Sequence, residues 1–421
     1  MKKVIFGAGD YGKRYFDYMT TKGEHIDCFC QTNVGSTKEV YNGVPLISLD
    51  ELCGLKEESE VFIALYDKQT SKAIKEKVQK ENNKANVIEC GEFIFVNLPG
   101  KECKEVLYQK NEYEEGVVNS YWKELFLDNN LLCREKKNLT RGMSSRSINE
   151  VDRIIERLKN IPYKNVDNDI FCDYEKKMIR KMEWDFQLRK SISNLYGDII
   201  EWNEYKYPAE EGFDPGVWYY QCGVKSLKNI DYIMEKNIID AGAFIGDSSV
   251  VLSQYTNKKV YAFEASKTNY QRIEQICKMN NVTNVVSVNK ALSDKTGKEI
   301  LYLEPSSVGN GVIRREAIDY SGEEEVNATT IDEFSIDKSL EIGLIKADVE
   351  GGEIKMLRGA SRVIKEQGPS LLISIYHTAE DFMKIRSVVE EINPHYSFEI
   401  SQPYSRRRVV RDTLLVCEIK K

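Results

Sequence analysis

Histidine is scarce in this sequence: His25, His377 and His395 are the only three among 421 residues. That excludes a histidine-rich metal centre. Cysteine occurs ten times but never as a Cys-x-x-Cys pair, a usage that fits structural thiols in a reducing, cytoplasmic compartment. No apolar run approaches the length of a membrane span. Met1-Lys2-Lys3 leads straight into Val4-Ile5-Phe6-Gly7, a strand and turn, so no secretory leader is expected. Neither sign of charge dominates: 60 basic against 67 acidic residues leave a net charge of −7, which argues against a sequence-nonspecific nucleic-acid binder. Hydrophobic residues make up 41%, ample for packed cores, and the length suggests two or three domains. No internal repeat or low-complexity tract is present.

What is present is organised around one stretch, Ile238-Ile239-Asp240-Ala241-Gly242-Ala243-Phe244-Ile245-Gly246-Asp247. Asn237 to Ile239 reads as a buried parallel strand, and Ser248 to Leu252 opens a helix. A strand that turns into a helix through glycines brings backbone N–H groups up to a ligand. Gly242 and Gly246 are the positions where a side chain would block that approach. The next strand, Val260 to Phe263, ends in Glu264, which suits the two hydroxyls of a ribose. Asp240, at the tip of the first strand, is placed to meet a ligand ammonium. A phosphate loop would have closer glycines followed by Lys-Ser or Lys-Thr. Two acids on adjacent strand ends favour instead a nucleoside with a cationic amino-acid tail, which describes S-adenosylmethionine. A plain β-α turn with a helix-capping acid is the bland alternative.

Residues 1–98 form a unit of their own. Strands at Lys3–Phe6, Ile26–Cys30, Glu60–Leu65 and Asn86–Cys90 alternate with helices at Lys13–Lys22 and Lys72–Lys80 and one capped by Ser48. That alternation predicts a small Rossmann-like parallel sheet. Gly7-Ala8-Gly9-Asp10-Tyr11-Gly12 completes a G-x-G-x-x-G loop, but Gln31-Thr32-Asn33 stands where a dinucleotide binder wants an acid. This disfavours NAD and leaves a nucleotide, a nucleotide-sugar or no ligand open. The domain resembles the nucleotide-sugar-binding domains attached to bacterial glycan-modifying enzymes. Residues 99–222 read as a mostly helical connector packed largely on the C-terminal domain. Its helical spacing is clearest at Glu150–Leu158 and Tyr174–Ser193, and it ends in an aromatic, turn-rich segment.

From residue 223 the βαβα alternation resumes. Strands fall at Asn284–Val288, Gly343–Ala347 and Leu371–Tyr376, with a closing antiparallel pair at Phe398–Ile400 and Thr413–Cys417 joined by the basic turn Arg406-Arg407-Arg408. Leu301 to Thr330, with Ser306-Ser307-Val308-Gly309-Asn310-Gly311, reads as a loop able to lie over a site. The stretches Ile239–Asp247, Ala262-Phe263-Glu264, Ala291-Leu292-Ser293-Asp294, Ile345-Lys346-Ala347-Asp348-Val349-Glu350-Gly351-Gly352-Glu353 and Ser374-Ile375-Tyr376-His377 together resemble the FkbM family of S-adenosylmethionine-dependent methyltransferases. The resemblance covers about Gly223 to the C-terminus. It implies an α/β fold with a seven-stranded class I methyltransferase sheet and a late antiparallel strand. It also implies O-methylation, often of a sugar hydroxyl in polysaccharide biosynthesis, with a glycan or nucleotide-sugar as substrate. Carried over by position, Asp240, Gly242 and Gly246, with Ala243 and Asp247, would line the cofactor's methionine end. Glu264 would hold the ribose, Ala291 would border the adenine, and Asp348 would lie by the cofactor.

Methyl transfer to a hydroxyl requires an aligned acceptor oxygen and a group to take its proton. The strands before Asp348 and before His377 are expected to be neighbours at the carboxyl edge of the sheet. Asp348 and Glu350, two residues apart, can share a face. His377, the histidine at a strand end, suits a general base at neutral pH. A divalent cation on Asp348 and Glu350 is the alternative route; the reading adopted is a His377 base without metal. Two competing functions stand beside it: an NAD-dependent oxidoreductase using the first domain, and a non-catalytic nucleotide-sensing scaffold of a glycan-assembly complex. The sequence leaves monomer and homo-oligomer open.

Overall fold

The computed structural model describes residues 2–21, 23–32, 43–65, 67–90, 120–160, 172–188, 199–208, 214–304, 309–315, 318, 320–403 and 410–420. Asn33, the stretch Ser306-Ser307-Val308 and the basic turn Arg406–Arg408 lie outside the described residues. The chain divides into two compact units, residues 1–109 with 183–213, and residues 110–182 with 214–421.

In the first unit five strands run parallel: β1 (Lys2–Phe6), β2 (Cys28–Gln31), β3 (Leu46–Ser48), β4 (Ser59–Ile63) and β5 (Ala85–Glu89), in the order β3-β2-β1-β4-β5. The near-continuous apolar runs arise because both faces are covered. Ile5, Phe29 and Phe62 pack with Tyr15 on one side, while Val4, Phe6, Val61 and Ile63 pack with Leu52 and Val78 on the other. Two of the three loop glycines are demanded by the loop itself. Gly7 has φ +103°, and a Cβ at Gly12 would meet the Gly7 carbonyl oxygen at 1.7 Å, whereas Gly9 faces open space. The unit also holds a hairpin, β6 (Ile199–Trp202) with β7 (Tyr205–Pro208), in the stretch read as helical. Its two-residue turn places both Asn203 and Glu204 at positive φ, the tight connection that matches strand twist; a Glu there is a weak sequence signal.

The second unit is built on seven strands: β8 (Asn237–Ala241), β9 (Val260–Phe263), β10 (Val285–Val288), β14 (Ile342–Ala347), β15 (Ser370–Ser374), β16 (Tyr396–Ser401) and β17 (Leu414–Ile419). Their order is β10-β9-β8-β14-β15-β17-β16. The first five are parallel, and β17 is antiparallel to both of its neighbours. A side sheet of β11 (Ala291–Leu292), β13 (Gly322–Thr329) and β12 (Gly297–Leu303) completes the strands. Here the structure corrects the reading of Leu301–Thr330 as loop. In β13 the run Glu323-Glu324-Glu325 is exposed while Val326 and Ala328 turn inward, so charge hides the alternation of a half-buried strand.

Helices Ser120–Leu127, Asn129–Thr140 and Ser145–Asn160 pack onto this sheet's core. The Trp122 ring lies 5.4 Å from that of Phe382. Arg386 donates from its guanidinium to the carbonyls of Asn138 and Arg141 (2.8 Å to the latter), satisfying orphan acceptors at a helix C-terminus. Ile400 N–H donates to the Ser147 hydroxyl at 2.8 Å, tying the third helix to β16. Among the described residues all nine cysteines are free, and no helix is long and apolar enough to cross a membrane.

Candidate functional site

The strand order of the larger sheet reverses between β8 and β14, so the connections leaving their carboxyl ends diverge and open a crevice, the usual ligand position in open α/β sheets. The glycine turn after β8 forms one wall. Gly242 has φ +77°, and a Cβ there would meet the Asp348 carbonyl oxygen at 1.8 Å. Gly246 has φ +96° and packs on Ile273, its Cβ position 3.0 Å from that side chain. Both glycines are therefore required by the chain's own close approach, before any ligand is considered. Ala243 is buried beneath the turn, and Phe244 takes a left-handed φ of +49°.

That unusual backbone is held by Glu264. Its carboxylate, 8% exposed at the end of β9, accepts from Phe244 N–H at 2.9 Å and from Ser266 N–H at 2.7 Å. Burial raises its carboxyl to about 7, against the lowering effect of those two hydrogen bonds. Each oxygen keeps further acceptor capacity. Asp247 is half-buried and accepts from Ser248 N–H at 2.8 Å; burial, with Asp214 adding to it, raises its carboxyl to about 7. Ala291 does not cap a strand of the main sheet. It starts β11 and packs with Leu301, Val326 and Ala328 of the side sheet.

Asp240 differs from the sequence expectation of a carboxylate open to a ligand ammonium. It is fully buried, accepts from the Ser248 and Ser249 hydroxyls at 2.7 and 2.6 Å, and pairs with the Lys346 ammonium at 3.0 Å. The chain itself supplies the cation. Lys346 also donates to the Gly242 carbonyl at 3.0 Å, locking the turn to β14. Burial pushes the ammonium down, but Asp240 and Asp348 outweigh it and hold it above its ordinary value. Sequence reading passed over Lys346 because a lysine inside a buried strand has no local signature.

The second wall lies beyond β14 and β15, which are paired in parallel. Asp348, Glu350 and His377 come together there. His377 Nε2 lies 3.2 Å from Asp348 Oδ1 and 3.3 Å from Glu350 Oε2, and Nδ1 lies 3.0 Å from Glu353 Oε1. Tyr376 donates its hydroxyl to Asp348 at 3.0 Å. Arg315 bridges Glu350 Oε2 at 2.7 Å and Glu304 Oε1 at 2.6 Å, reaching in from the connection read as a loop. Glu350 sits at φ +54°, a left-handed position unusual outside glycine, next to Gly351 at +94°.

The electrostatics reflect this crowding. Burial pushes the His377 imidazole down, but Glu350, Glu353 and Asp348 outweigh it and hold it well above its ordinary value. Burial pushes Asp348 and Glu350 up, yet His377 holds both below the usual carboxylate range, aided at Asp348 by Lys346 and at Glu350 by Arg315. Asp381, buried one turn into the next helix, is raised to about 8 by burial and by Glu353. The His377 side chain is 1% exposed, Glu350 14% and Asp348 30%. Asp348 is thus the most exposed of the three, with His377 behind it.

Residues 240–399 match the methyltransferase FkbM domain. The FkbM match runs from the acid of the glycine turn to Glu399 on β16, and so contains both walls of the crevice. The seven-strand order, with β17 antiparallel, is that of the class I methyltransferase fold expected from the FkbM resemblance. The match does not extend to residues 1–239. No curated protein matches the chain. Among solved structures, methyltransferase FkbM from Methylobacillus flagellatus KT is similar at 16% identity and a TM-score of 0.44, over 99% of this chain and 89% of that one. An rRNA methylase from Streptococcus thermophilus is similar at 14% identity and a TM-score of 0.29, over 46% and 94%. A precorrin-6y C5,15-methyltransferase from Geobacter metallireducens GS-15 reaches 12% identity and a TM-score of 0.29, over 45% and 86%. Likeness at this level assigns no substrate.

Proposed function

We propose that the second unit is an S-adenosylmethionine-dependent O-methyltransferase acting on a sugar hydroxyl of a glycan or nucleotide-sugar. The observation that carries this reading is the buried Glu264 carboxylate beside the glycine turn, inside the FkbM match. A carboxylate with spare acceptor capacity fits a ribose diol, whose two O–H groups would replace water and favour its charged form. When bound, S-adenosylmethionine supplies a methyl group on a sulfonium, so transfer breaks a C–S bond, forms a C–O bond, leaves the electron pair on sulfur and frees the acceptor proton.

The chain's own residues divide the remaining work. Gly242, Ala243 and Gly246 shape the turn against which the cofactor lies, Asp247 adds a carboxyl at its edge, and Ala291 borders the adenine side. Asp240, paired to Lys346, holds the turn and does not touch the ligand. Asp348, the most exposed of the three clustered groups, accepts a hydrogen bond from the acceptor hydroxyl and orients it. His377 fixes the Asp348 and Glu350 carboxylates and is a positioning residue. This takes the base role away from His377, where the sequence reading put it, because that side chain is closed off and its nitrogens already face carboxylates. Residues 1–98 take a nucleotide-sugar or no ligand in preference to NAD, because Gln31 stands where a dinucleotide binder needs an acid.

Calorimetry with S-adenosylmethionine tests the cofactor assignment. Glu264→Ala should weaken binding by roughly 1.5–3 kcal/mol, the worth of charge-assisted hydrogen bonds. Unchanged affinity in a folded variant rejects it. Mass spectrometry of surface glycans from cells with and without the protein tests the acceptor class: a methyl group lost from a sugar supports it, and identical glycans count against it.

A further inference from the structure

We infer that Asp348, Glu350 and His377 form a binding site for a divalent cation of the Mg2+ and Mn2+ class. The donor set is one imidazole nitrogen and two carboxylate oxygens, all lying within 4.8 Å of one another. Oxygen-rich sites with a single imidazole suit hard to borderline ions. Octahedral ions of this class hold donors at about 2.1 Å, which puts neighbouring donors about 3.0 Å apart. Asp348 Oδ1 and Glu350 Oε2 lie 3.2 and 3.3 Å from His377 Nε2, close to that spacing.

Two further observations separate this cluster from a patch of acids. The His377 side chain is 1% exposed, and Nε2, although near both Asp348 and Glu350, makes no aligned hydrogen bond to either. Nε2 thus lies at nearly equal distance from Asp348 Oδ1 and Glu350 Oε2, as one of three donors sharing an ion would. The second observation is Glu353, completely buried, with Oε1 at 3.0 Å from Nδ1 and itself held by Val349 N–H at 2.9 Å. A carboxylate on the far nitrogen is the usual partner of a metal-bound histidine, because it keeps the proton on Nδ1 while the bound ion displaces the proton from Nε2. Arg315, 2.7 Å from Glu350 Oε2, and Tyr376, 3.0 Å from Asp348 Oδ1, hold those same two carboxylate oxygens in place. Three protein donors leave about three octahedral positions, and the half-open side at Asp348 is where water or an acceptor oxygen would occupy them.

The site stands on these donors alone; its use in activating a hydroxyl rests on the methyltransferase reading. The test is a titration of the EDTA-treated, desalted full-length protein with Mn2+, reading free ion by electron paramagnetic resonance, with no S-adenosylmethionine present. One Mn2+ should bind per chain and be displaced by excess Mg2+. Asp348→Asn and Glu350→Gln should each weaken binding by roughly 10–100-fold. Glu323→Gln, on the exposed face of the side sheet, should leave it unchanged. Circular dichroism melting of each variant identifies any that fails to fold, and either folded variant suffices. No bound Mn2+ at millimolar free ion, or equal affinity in wild type and both site variants, overturns the proposal. Mn2+ binding without S-adenosylmethionine binding would retain the metal site and reject the methyltransferase reading; the reverse result would do the opposite.

Discussion

Gly242 is fixed by one contact, its approach to the Asp348 backbone, and by a φ of +77°. Gly242→Ala cannot be absorbed by a rotamer change, because the obstructing atom is a carbonyl oxygen. It should cost about 2–4 kcal/mol in urea unfolding, from left-handed strain together with steric displacement; a loss under about 0.5 kcal/mol would contradict the geometry. Glu264 offers a pH test at the same scale. Its carboxyl titrates near 4.5 when unfolded and at about 7 when folded. Below pH 4.5 both states hold the proton. Between the two values the folded state keeps a proton that the unfolded state has lost, so stability falls as pH rises and levels off above 7. Glu264→Gln should remove that slope, shifting the variant's stability relative to wild type by up to ~3 kcal/mol in its favour between pH 4.5 and 8. Parallel pH profiles would contradict it. Asp247 and Asp381, raised to about 7 and about 8, act in the same direction in wild type and variant alike, so the difference isolates Glu264.

At the scale of elements, one ion pair joins β8, its turn and β14. Lys346→Met leaves Asp240 buried with only two serine hydroxyls, and stripping one partner from a buried pair typically costs about 3–5 kcal/mol. Adding Asp240→Asn should recover part of that loss, since no uncompensated charge then remains; a strictly additive double variant would mean the two side chains do not interact. The helical segment before the sheet is held by Arg386 at the end of the helix Asn129–Thr140. Arg386→Ala should speed hydrogen exchange in residues 129–142 more than in β14 and β15, because it frees two carbonyls there while leaving the strands intact. Uniform exchange across both regions would argue against this docking role.

For the whole molecule, one all-parallel sheet and one parallel sheet closed by an antiparallel strand raise the question of whether each takes a nucleotide. Melting of the full chain should rise with S-adenosylmethionine and, separately, with a nucleotide-sugar where the first unit takes one, each according to its free concentration over its dissociation constant. NAD should raise it less, since Gln31 ends β2 where a carboxylate would be needed. Strong stabilisation by NAD would reverse the assignment of the first unit.

The sequence by itself determined the two sheets, their parallel character, the closing antiparallel pair and the strand ends that carry Glu264, Asp348 and His377. Apolar runs of strand length bounded by glycine and helix signals are local, and local patterns survive without coordinates. It did not reveal β6 with β7 or β12 with β13, where a positive-φ glutamate and a run of exposed carboxylates mask the strand signal. Only the tertiary structure decided what each charged group faces. Lys346 turns Asp240 from a ligand contact into a buried internal pair. Glu353 and Arg315 enclose His377 and Glu350, moving the exposed end of the group to Asp348. A residue's type and position set the charge it brings, but its chemistry depends on the charges folded against it, and these come from positions far apart along the chain.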